Sequence, residues 1–355
     1  MATQLRGTGR WIVVALAIMS IVVAGCNSST NTAAPNSSTK VGGGSSNELY
    51  YWISAYTTLP IIQRADIPAL YLAAGELGVQ VKIAGPTDGN VTSEISTTEQ
   101  VCALHPAGVL LHGFNGSQAP SIAGCISAGV PVITVDGDVP GSNRLSYIGT
   151  AWSDVGTALA LDLKAALGST CGPVATLSVV GKTNNDEATA AFAAALKGSC
   201  LNVVANENDK GVAATAASLT SQILAAHPDL VGIAGVDASS GQGIVQGLRE
   251  GGQLGKVKVV TIQGADELFS LLKTGEVSTV LVQQRAMFTY WGLQMLYWYN
   301  HTAVTVSGFP RTVVAPVPPR VITGLLTVTK DNVDSMLASA SASSTLPSTL
   351  PSSTK

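Results

Sequence analysis

The sequence of 355 residues has little charge and few aromatic side chains, at 12% and 5% of its residues. A soluble protein usually has about 25% charged residues, so this shortage alone would suggest a membrane channel. A channel is excluded because the one apolar run that stands out lies at the extreme N-terminus and has 14 residues, from Trp11 to Ala24. Spanning a bilayer needs about 20 such residues, whereas the core of an export signal needs about 7–15.

Several chemical patterns are also missing. The chain has no basic stripe and no aromatic-plus-arginine pattern, so we expect no nucleic acid partner. It contains no G-x-S-x-G, H-E-x-x-H or C-x-x-C pattern, so we expect neither an enzyme nor a metal or other cofactor. Residues 1–25 carry Arg6 and Arg10 and no acid, so their removal changes the net charge from −3 to −5.

The N-terminal run ends in Val23-Ala24-Gly25-Cys26, which resembles the lipobox of bacterial lipoproteins. The resemblance implies that residues 1–25 are a signal peptide and that Cys26 becomes the lipidated N-terminus. The protein would then be anchored on the extracytoplasmic face of a membrane, in the periplasm or at the cell surface.

The residues after Cys26 predict a tether. Residues 26–47 are almost wholly small and polar, a composition that stays solvated. Residues 339–355 are rich in Ser, Thr, Pro and Ala and are predicted to be disordered. About 290 residues remain between Glu48 and Leu337, which suggests two domains.

Four cysteines lie in the predicted folded part. Disulfides persist outside the cytoplasm, and four cysteines allow three pairings. Proximity in sequence favours Cys102–Cys125 and Cys171–Cys200, one in each domain.

Short β-rich segments alternate with Ala- and Leu-rich segments of helical spacing. We predict strands at 49–54, 79–83, 107–111, 131–135, 174–180, 201–205, 230–234, 257–261 and 279–282. We predict helices at 60–76, 92–104, 118–128, 153–167, 186–197, 212–226, 240–250 and 265–274. This alternation predicts an α/β fold with doubly wound parallel sheets, in which ligands bind at the carboxyl ends of the strands.

Two features near those strand ends are expected to have ordinary structural roles. Gly181-Lys182-Thr183 looks like the end of a phosphate-binding loop, but the motif needs a glycine where Thr176 stands. His112 follows a strand and could face a cleft, although a plain loop role is favoured.

Five motifs, in order, resemble those of the periplasmic sugar-binding proteins of ABC importers, of the ribose-binding-protein type. The resemblance covers nearly all of residues 48–337. The motifs are Pro131–Asp136, Tyr147–Thr150, Ala226–Asp237, Val259–Gly264 and Gly275–Gln284. The resemblance implies two lobes of the type I periplasmic binding fold. Three chain crossings would join them, near 150–151, near 283–284 and around 313–319.

On that division residues 48–150 and 284–312 form the N-terminal lobe, and residues 151–283 and 320–337 form the C-terminal lobe. The resemblance implies that Asp136, Asp237, Gln263 and Gln283 bind ligand, and carboxylates and amides can each engage two sugar hydroxyls. For any one of them, a turn or capping role is the alternative.

The sequence also departs from the family pattern. The arginine expected after Asp136 is Gly137, and the arginine expected on the helix after the sixth strand falls at Asp186, so the site is expected to lack guanidinium groups. Asp186 is itself an eighth candidate for ligand binding. Ile61 and Ile62 replace paired aromatic residues. The replacement candidates for stacking on a sugar are Tyr56, Phe114 and Trp152; packing in the hinge is the alternative for each.

The expected function is therefore that of a monomeric, lipid-anchored solute-binding protein. It would capture a sugar or polyol between its lobes and deliver it to an ABC permease. The alternatives are a sensory receptor of the same fold, acting on a chemoreceptor or kinase, and an extracytoplasmic sugar-acting enzyme.

Overall fold

The computed structural model describes residues 47–263, 266–304 and 314–342. The predicted signal peptide, Cys26 and all of the tether except Asn47 lie outside the described residues. Within the described part, no helix has both the length and the apolar character needed to cross a membrane.

The first sheet has six parallel strands, and helices lie against it. Their order across the sheet is β11-β5-β4-β3-β1-β2. The strands are β1 (Leu49–Ile53), β2 (Gln80–Ala84), β3 (Gly108–Gly113), β4 (Val132–Asp136), β5 (Ser146–Gly149) and β11 (Arg320–Ile322). The helices are α1 (Ile67–Leu77), α2 (Val91–Cys102), α3 (Ala119–Ser127) and α9 (Ala286–His301). A single π-helical turn, Ile62–Asp66, leads into α1.

The second sheet has the corresponding order, β12-β10-β9-β8-β6-β7, with only β12 antiparallel to its neighbour. Its strands are β6 (Gly172–Ser178), β7 (Leu201–Asn208), β8 (Gly232–Gly235), β9 (Lys258–Ile262), β10 (Thr279–Gln283) and β12 (Leu325–Val328). Its helices are α4 (Trp152–Leu167), α5 (Thr183–Leu196), α6 (Ala213–Ala226), α7 (Ser240–Glu250), α8 (Asp266–Thr274) and α10 (Val333–Ala342). The two sheets confirm the predicted α/β class of the type I periplasmic binding fold.

Each sheet is buried on both faces, which explains the continuous apolar runs of its strands. In β1, Tyr50 and Trp52 pack into one core cluster, whereas Tyr51 and Ile53 pack into the cluster on the opposite face. Successive side chains of a strand point to opposite faces, so one short apolar segment contributes to two cores.

Within the described residues the chain passes between the sheets three times. The first passage lies between β5 and α4, and the second between β10 and α9. The third was expected at 313–319, with residues 320–337 in the C-terminal lobe, and this is wrong. Arg320–Ile322 pairs with β5 of the first sheet, and Leu325–Val328 pairs with β10 of the second. The passage is therefore at Thr323 and Gly324, where Gly324 has a φ of 82° that favours glycine.

All nine predicted strands are present, with ends shifted by a few residues. The sequence reading missed β5, β11, β12, α9 and α10 as regular elements. Helix α10 continues past Ser339 to Ala342, so the first residues of the predicted disordered tail are helical. Residues 343–355 lie outside the described part.

Both favoured disulfides are present. Cys102–Cys125 joins α2 to α3, and Cys171–Cys200 joins the segments that precede β6 and β7. Each pair has a Cα–Cα distance of 5.2 Å, within the usual range for a disulfide. Each bridge closes one strand–helix unit within its own lobe.

Candidate functional site

A cavity of about 230 Å³ lies between the carboxyl ends of the two sheets. Strand ends and loops of both lobes line it, as expected for doubly wound sheets. It is smaller than the cavities of about 300–1,000 Å³ that hold drug-sized ligands, so it fits a small solute. Seven of the eight predicted ligand-binding residues line it: Tyr56, Phe114, Asp136, Trp152, Asp237, Gln263 and Gln283.

Asp136 is held by an arginine that the sequence reading missed. The Arg285 Nη1 atom donates to the Asp136 carboxylate at 2.7 Å. The Arg285 Nε and Nη2 atoms donate to the two carboxylate oxygens of Asp66, at 2.9 and 3.0 Å. All three side chains are buried. The two-pronged contact with Asp66 fixes the guanidinium plane, and the remaining edge is directed at Asp136.

This arrangement sets the protonation of the two carboxyl groups. Burial tends to raise the pKa of Asp136, but the charges and hydrogen bonds of Arg285 and His112 outweigh it and lower that pKa well below its usual value. Burial raises the pKa of Asp66 to about 6, against the opposing effect of Arg285. Asp136 is therefore ionised at neutral pH and can accept hydrogen bonds from a ligand.

His112 is the other partner of Asp136, so the loop role expected for it is wrong. It is the fifth residue of β3 and is buried, and its Nε2 atom lies 3.2 Å from the Asp136 Oδ2 atom. Its Nδ1 atom is also buried and has no hydrogen-bond partner. A ligand hydroxyl could satisfy such an atom.

The C-terminal lobe contributes a second ion pair. The Lys182 Nζ atom lies 3.4 Å from the Asp237 Oδ2 atom and 4.6 Å from the centre of the Tyr56 ring. Burial tends to lower the pKa of Lys182, but Asp237 more than offsets this and raises it above the usual value. Lys182 is therefore part of the site, although not of a phosphate loop, and it connects the C-terminal lobe to Tyr56 of the N-terminal lobe.

Two amide side chains complete the polar surface. The Gln263 side-chain amide contacts the Gln283 carbonyl, and the Gln283 Nε2 atom donates to the Thr150 hydroxyl at 2.9 Å. Asp136 and Gln263 have backbone φ angles of 68° and 53°, in the left-handed region that residues other than glycine rarely adopt. Strained backbone of this kind concentrates at functional sites.

Aromatic rings form one wall of the cavity. The rings of Tyr56, His112 and Phe114 lie 5.5 to 6.1 Å apart, centre to centre. The Trp152 indole donates to the Asp136 main-chain oxygen at 3.0 Å, which fixes its ring at the carboxyl end of β4. Ring faces of this kind suit the C–H faces of a sugar.

Contacts across the cavity mouth show that the lobes are closed on each other. The Thr183 main-chain N–H donates to the Phe114 carbonyl at 3.1 Å, and its hydroxyl donates to the Asp138 carbonyl at 3.2 Å. Thr183 is the first residue of α5, in the C-terminal lobe, whereas Phe114 and Asp138 follow β3 and β4.

Two expectations about charge are corrected. Asp186 does not line the cavity; its carboxylate accepts the main-chain N–H of Gly181 instead. The site also does not lack a guanidinium, because Arg285 supplies one. A side chain at position 137 would require the backbone to move, since a Cβ there would lie 1.9 Å from the Gly113 main-chain oxygen. The one sequence feature that could have identified Arg285 as a site residue is its position directly after Gln283-Gln284, the end of the fifth motif.

Among the described residues, no group of three or more His, Cys, Asp or Glu side chains could hold a metal ion. The contacts described above place hydrogen-bond acceptors, donors and ring faces around a small cavity.

Comparison with solved structures agrees with this geometry. An arabinose binding protein from Geobacillus stearothermophilus, AraP, has 28% identity and a TM-score of 0.70, with 81% of this chain and 99% of that chain covered. A sugar-binding protein of a sugar ABC transporter from Bacillus halodurans has 25% identity and a TM-score of 0.72, with 81% and 99% covered. A solute binding protein from Agrobacterium vitis, bound with α-D-tagatopyranose, has 24% identity and a TM-score of 0.73, with 82% and 98% covered.

No curated protein matches the chain in sequence. The family model described as "Periplasmic binding protein domain" matches residues 53–299, which include strands β2 to β10 and all of the residues that line the cavity. The chain therefore belongs to the periplasmic binding protein family, with the type I fold of the sugar-binding proteins of ABC transporters.

Proposed function

We propose that this protein is a lipid-anchored solute receptor that captures a neutral monosaccharide or related polyol and delivers it to an ABC permease. The observation that carries the proposal is that Arg285 and Lys182, the two cations buried beside the cavity, already have carboxylate partners. Arg285 is paired with Asp66 and Asp136, and Lys182 is paired with Asp237. With two carboxylates to one guanidinium, the Arg285 group disfavours an anionic ligand, and a cationic ligand would compete with Arg285 or Lys182 for its carboxylate partner. A neutral polyol disturbs none of these pairs.

The remaining chemistry supports the same ligand class. Carboxylate and amide groups that already hold one protein partner keep lone pairs or protons for hydroxyl groups. The ring faces of Tyr56, Phe114 and Trp152 supply apolar contact for the C–H face of a sugar. The volume of about 230 Å³ limits the ligand to a small solute. AraP, with 28% identity, is described as an arabinose binding protein, which places pentoses first among the compounds to test.

A thermal-shift screen of the purified chain against pentoses, hexoses, polyols and nucleosides tests the ligand class. A ligand present at about 100 times its Kd stabilises the native state by about 2.7 kcal/mol. For a protein of this size each kcal/mol raises Tm by about 2–4 °C, so the expected shift is about 5–10 °C. Charged analogues such as uronic acids should give a much smaller shift.

Calorimetry and a turnover assay then separate binding from catalysis. A receptor should bind its ligand one to one and return it unchanged. Conversion of the sugar by the purified chain would contradict the receptor proposal and favour the extracytoplasmic enzyme.

The anchor is tested separately. Cys26→Ser should release the protein from membranes or block its processing. Mass spectrometry of the native protein should find a diacylglycerol-modified Cys26 at the N-terminus. A mature N-terminus elsewhere would refute the lipid anchor without affecting the ligand proposal.

Delivery to a permease is tested by uptake of the labelled ligand in cells that lack the protein. Loss of uptake, restored by the wild-type gene, supports transport. Normal uptake with a lost transcriptional or chemotactic response to the same ligand would favour the sensory receptor.

A further inference from the structure

Helix α9 has an unusual composition for a helix on a protein surface. Its 16 residues, AMFTYWGLQMLYWYNH, include no Lys, Arg, Asp or Glu. A surface helix normally carries charged residues on the face opposite the core. The inner face of α9 is buried against the first sheet and α1 through Phe288, Leu293 and Leu296. The unusual feature is therefore its outer face.

Three large apolar side chains are exposed on that outer face: Met287 at 38%, Trp291 at 47% and Trp298 at 43%. At 100° per residue these positions fall within about 40° of one another around the helix axis. They form a stripe about 16 Å long, with Gln294 between the two tryptophans, here called the α9 stripe. Exposed apolar residues scattered singly are common, but an aligned stripe with two tryptophans marks an interaction surface.

The C-terminal end of α9 lies beside the point where the predicted tether enters the fold. The Asn300 side chain donates to the Tyr50 hydroxyl at 3.1 Å, and the His301 Nε2 atom lies 3.2 Å from a Glu48 carboxylate oxygen. Glu48 directly precedes β1. The proposed lipid on Cys26 is only 21 residues along the chain from Asn47, the first described residue. A lipid on Cys26 would therefore keep this end of α9 close to the bilayer.

We infer that the α9 stripe rests on the lipid bilayer, with Trp291 and Trp298 in the interfacial layer. Tryptophan has an apolar ring and a polar N–H, which suits it to the boundary between headgroups and acyl chains. Since α9 has no cationic Lys or Arg, the contact depends on apolar burial and not on anionic lipid. This inference rests on the proposed function in one respect: the proposed lipid on Cys26 brings the α9 stripe near the membrane.

The test uses the mature chain from residue 26 with Cys26→Ser, so that no lipid is attached. Sedimentation with phosphatidylcholine vesicles measures its partition coefficient. Trp291→Ser with Trp298→Ser should lower that coefficient about tenfold or more. The matched control is Leu161→Ser with Val203→Ser, two exposed apolar residues of the C-terminal lobe, which should leave it unchanged. Addition of 20% phosphatidylserine should change wild-type binding little.

Fluorescence supplies a second readout that does not depend on the variants. The mature chain has four tryptophans, and Trp52 and Trp152 are only 1% and 5% exposed. Phosphatidylcholine with brominated acyl chains should therefore quench Trp291 and Trp298 selectively. No partition of the wild-type chain, an equal loss in the control pair, or binding only to anionic vesicles would each overturn the inference. So would absence of quenching.

Further measurements distinguish a loss of membrane contact from unfolding of the variant and from the absence of a lipid on Cys26. Unchanged ligand binding and Tm in the double Trp variant would show that the fold is intact. If that variant does not fold, Met287→Ser alone and the quenching experiment decide the question. A mature protein that is not lipidated at Cys26 would refute the anchor, whereas vesicle binding by the unlipidated chain would still stand.

Discussion

Replacing Asp136 by Asn should weaken ligand binding and lower stability, because this carboxylate both lines the cavity and accepts a hydrogen bond from the buried guanidinium of Arg285. Asn keeps the shape and one acceptor oxygen but removes the charge. Arg285 would keep both contacts with Asp66 and lose only its charged partner at 2.7 Å. The expected losses therefore lie below those for a fully unpaired buried charge.

The magnitude follows from the contacts. A hydrogen bond to a charged group contributes about 1.5–3 kcal/mol, so ligand affinity should fall by roughly tenfold to a hundredfold. The free energy of unfolding should fall by about 1–3 kcal/mol, less than the 3–5 kcal/mol that follows when a buried pair loses a whole partner. This loss of stability comes from the contact with Arg285, which joins segments 149 positions apart in the chain.

The effect on stability should depend on pH in one direction. Since the pKa of Asp136 is lowered in the folded protein, its stabilisation is present above the unfolded-state pKa of about 4. It is lost as the pH falls from there through the folded-state pKa. The difference between wild type and Asp136→Asn, measured by urea unfolding, should therefore be full at pH 7 and shrink below about pH 4.

Asp186→Asn is the matched control. It makes the same chemical change at a carboxylate that the sequence placed in the site and the structure does not. Calorimetry with the best ligand from the screen should show the wild-type affinity for Asp186→Asn. Equal losses of affinity in the two variants, or none in Asp136→Asn, would refute the assignment of the cavity as the ligand site.

Three other changes have defined outcomes. Glu94 is fully buried, and burial raises its pKa, so this residue destabilises the fold as the pH rises above about 4. In urea unfolding, Glu94→Gln should therefore raise the free energy of unfolding at pH 7 by about 1–3 kcal/mol. At pH 4 it should give no gain. Lys182→Met should weaken ligand binding at least tenfold in calorimetry because Asp237 is left without its cation, and unchanged affinity would exclude Lys182 from the site. Replacing both Cys171 and Cys200 by Ser should lower the unfolding free energy by about 3–4 kcal/mol, and an unchanged urea midpoint would contradict a closed bridge.

The fold class was readable from the sequence because local patterns carry it. Buried parallel strands are short apolar segments, and Ala-rich helices separate them, so Val257–Thr261 and its counterparts stand out without any knowledge of their partners. The helices and strands that the sequence did not predict are those whose surroundings are formed by residues distant in sequence. The short strand β5 has the remote strand β11 as one of its two neighbours, and β12 pairs with β10, more than 40 positions before it. Helix α9 has apolar residues on both faces.

The candidate site also has residues that local sequence could predict and residues that it could not. The position of Asp136, Asp237, Gln263 and Gln283 at strand ends is a local property, and it was sufficient to bring them to one cavity. The side chains that control their charge were not predictable, because each pairing joins distant segments. Arg285 meets Asp66 across 219 positions of the chain and Asp136 across 149.

The sequence by itself determined the alternation of strands and helices, the strand-end carboxylates and amides, and a cysteine spacing that favoured two local bridges. The tertiary structure decided which buried charges compensate one another and where the third crossing runs. It also decided which face of α9 is left to solvent. Periodicity and spacing record the neighbours of a residue along the chain, whereas charge pairing and exposure depend on neighbours that only folding brings together.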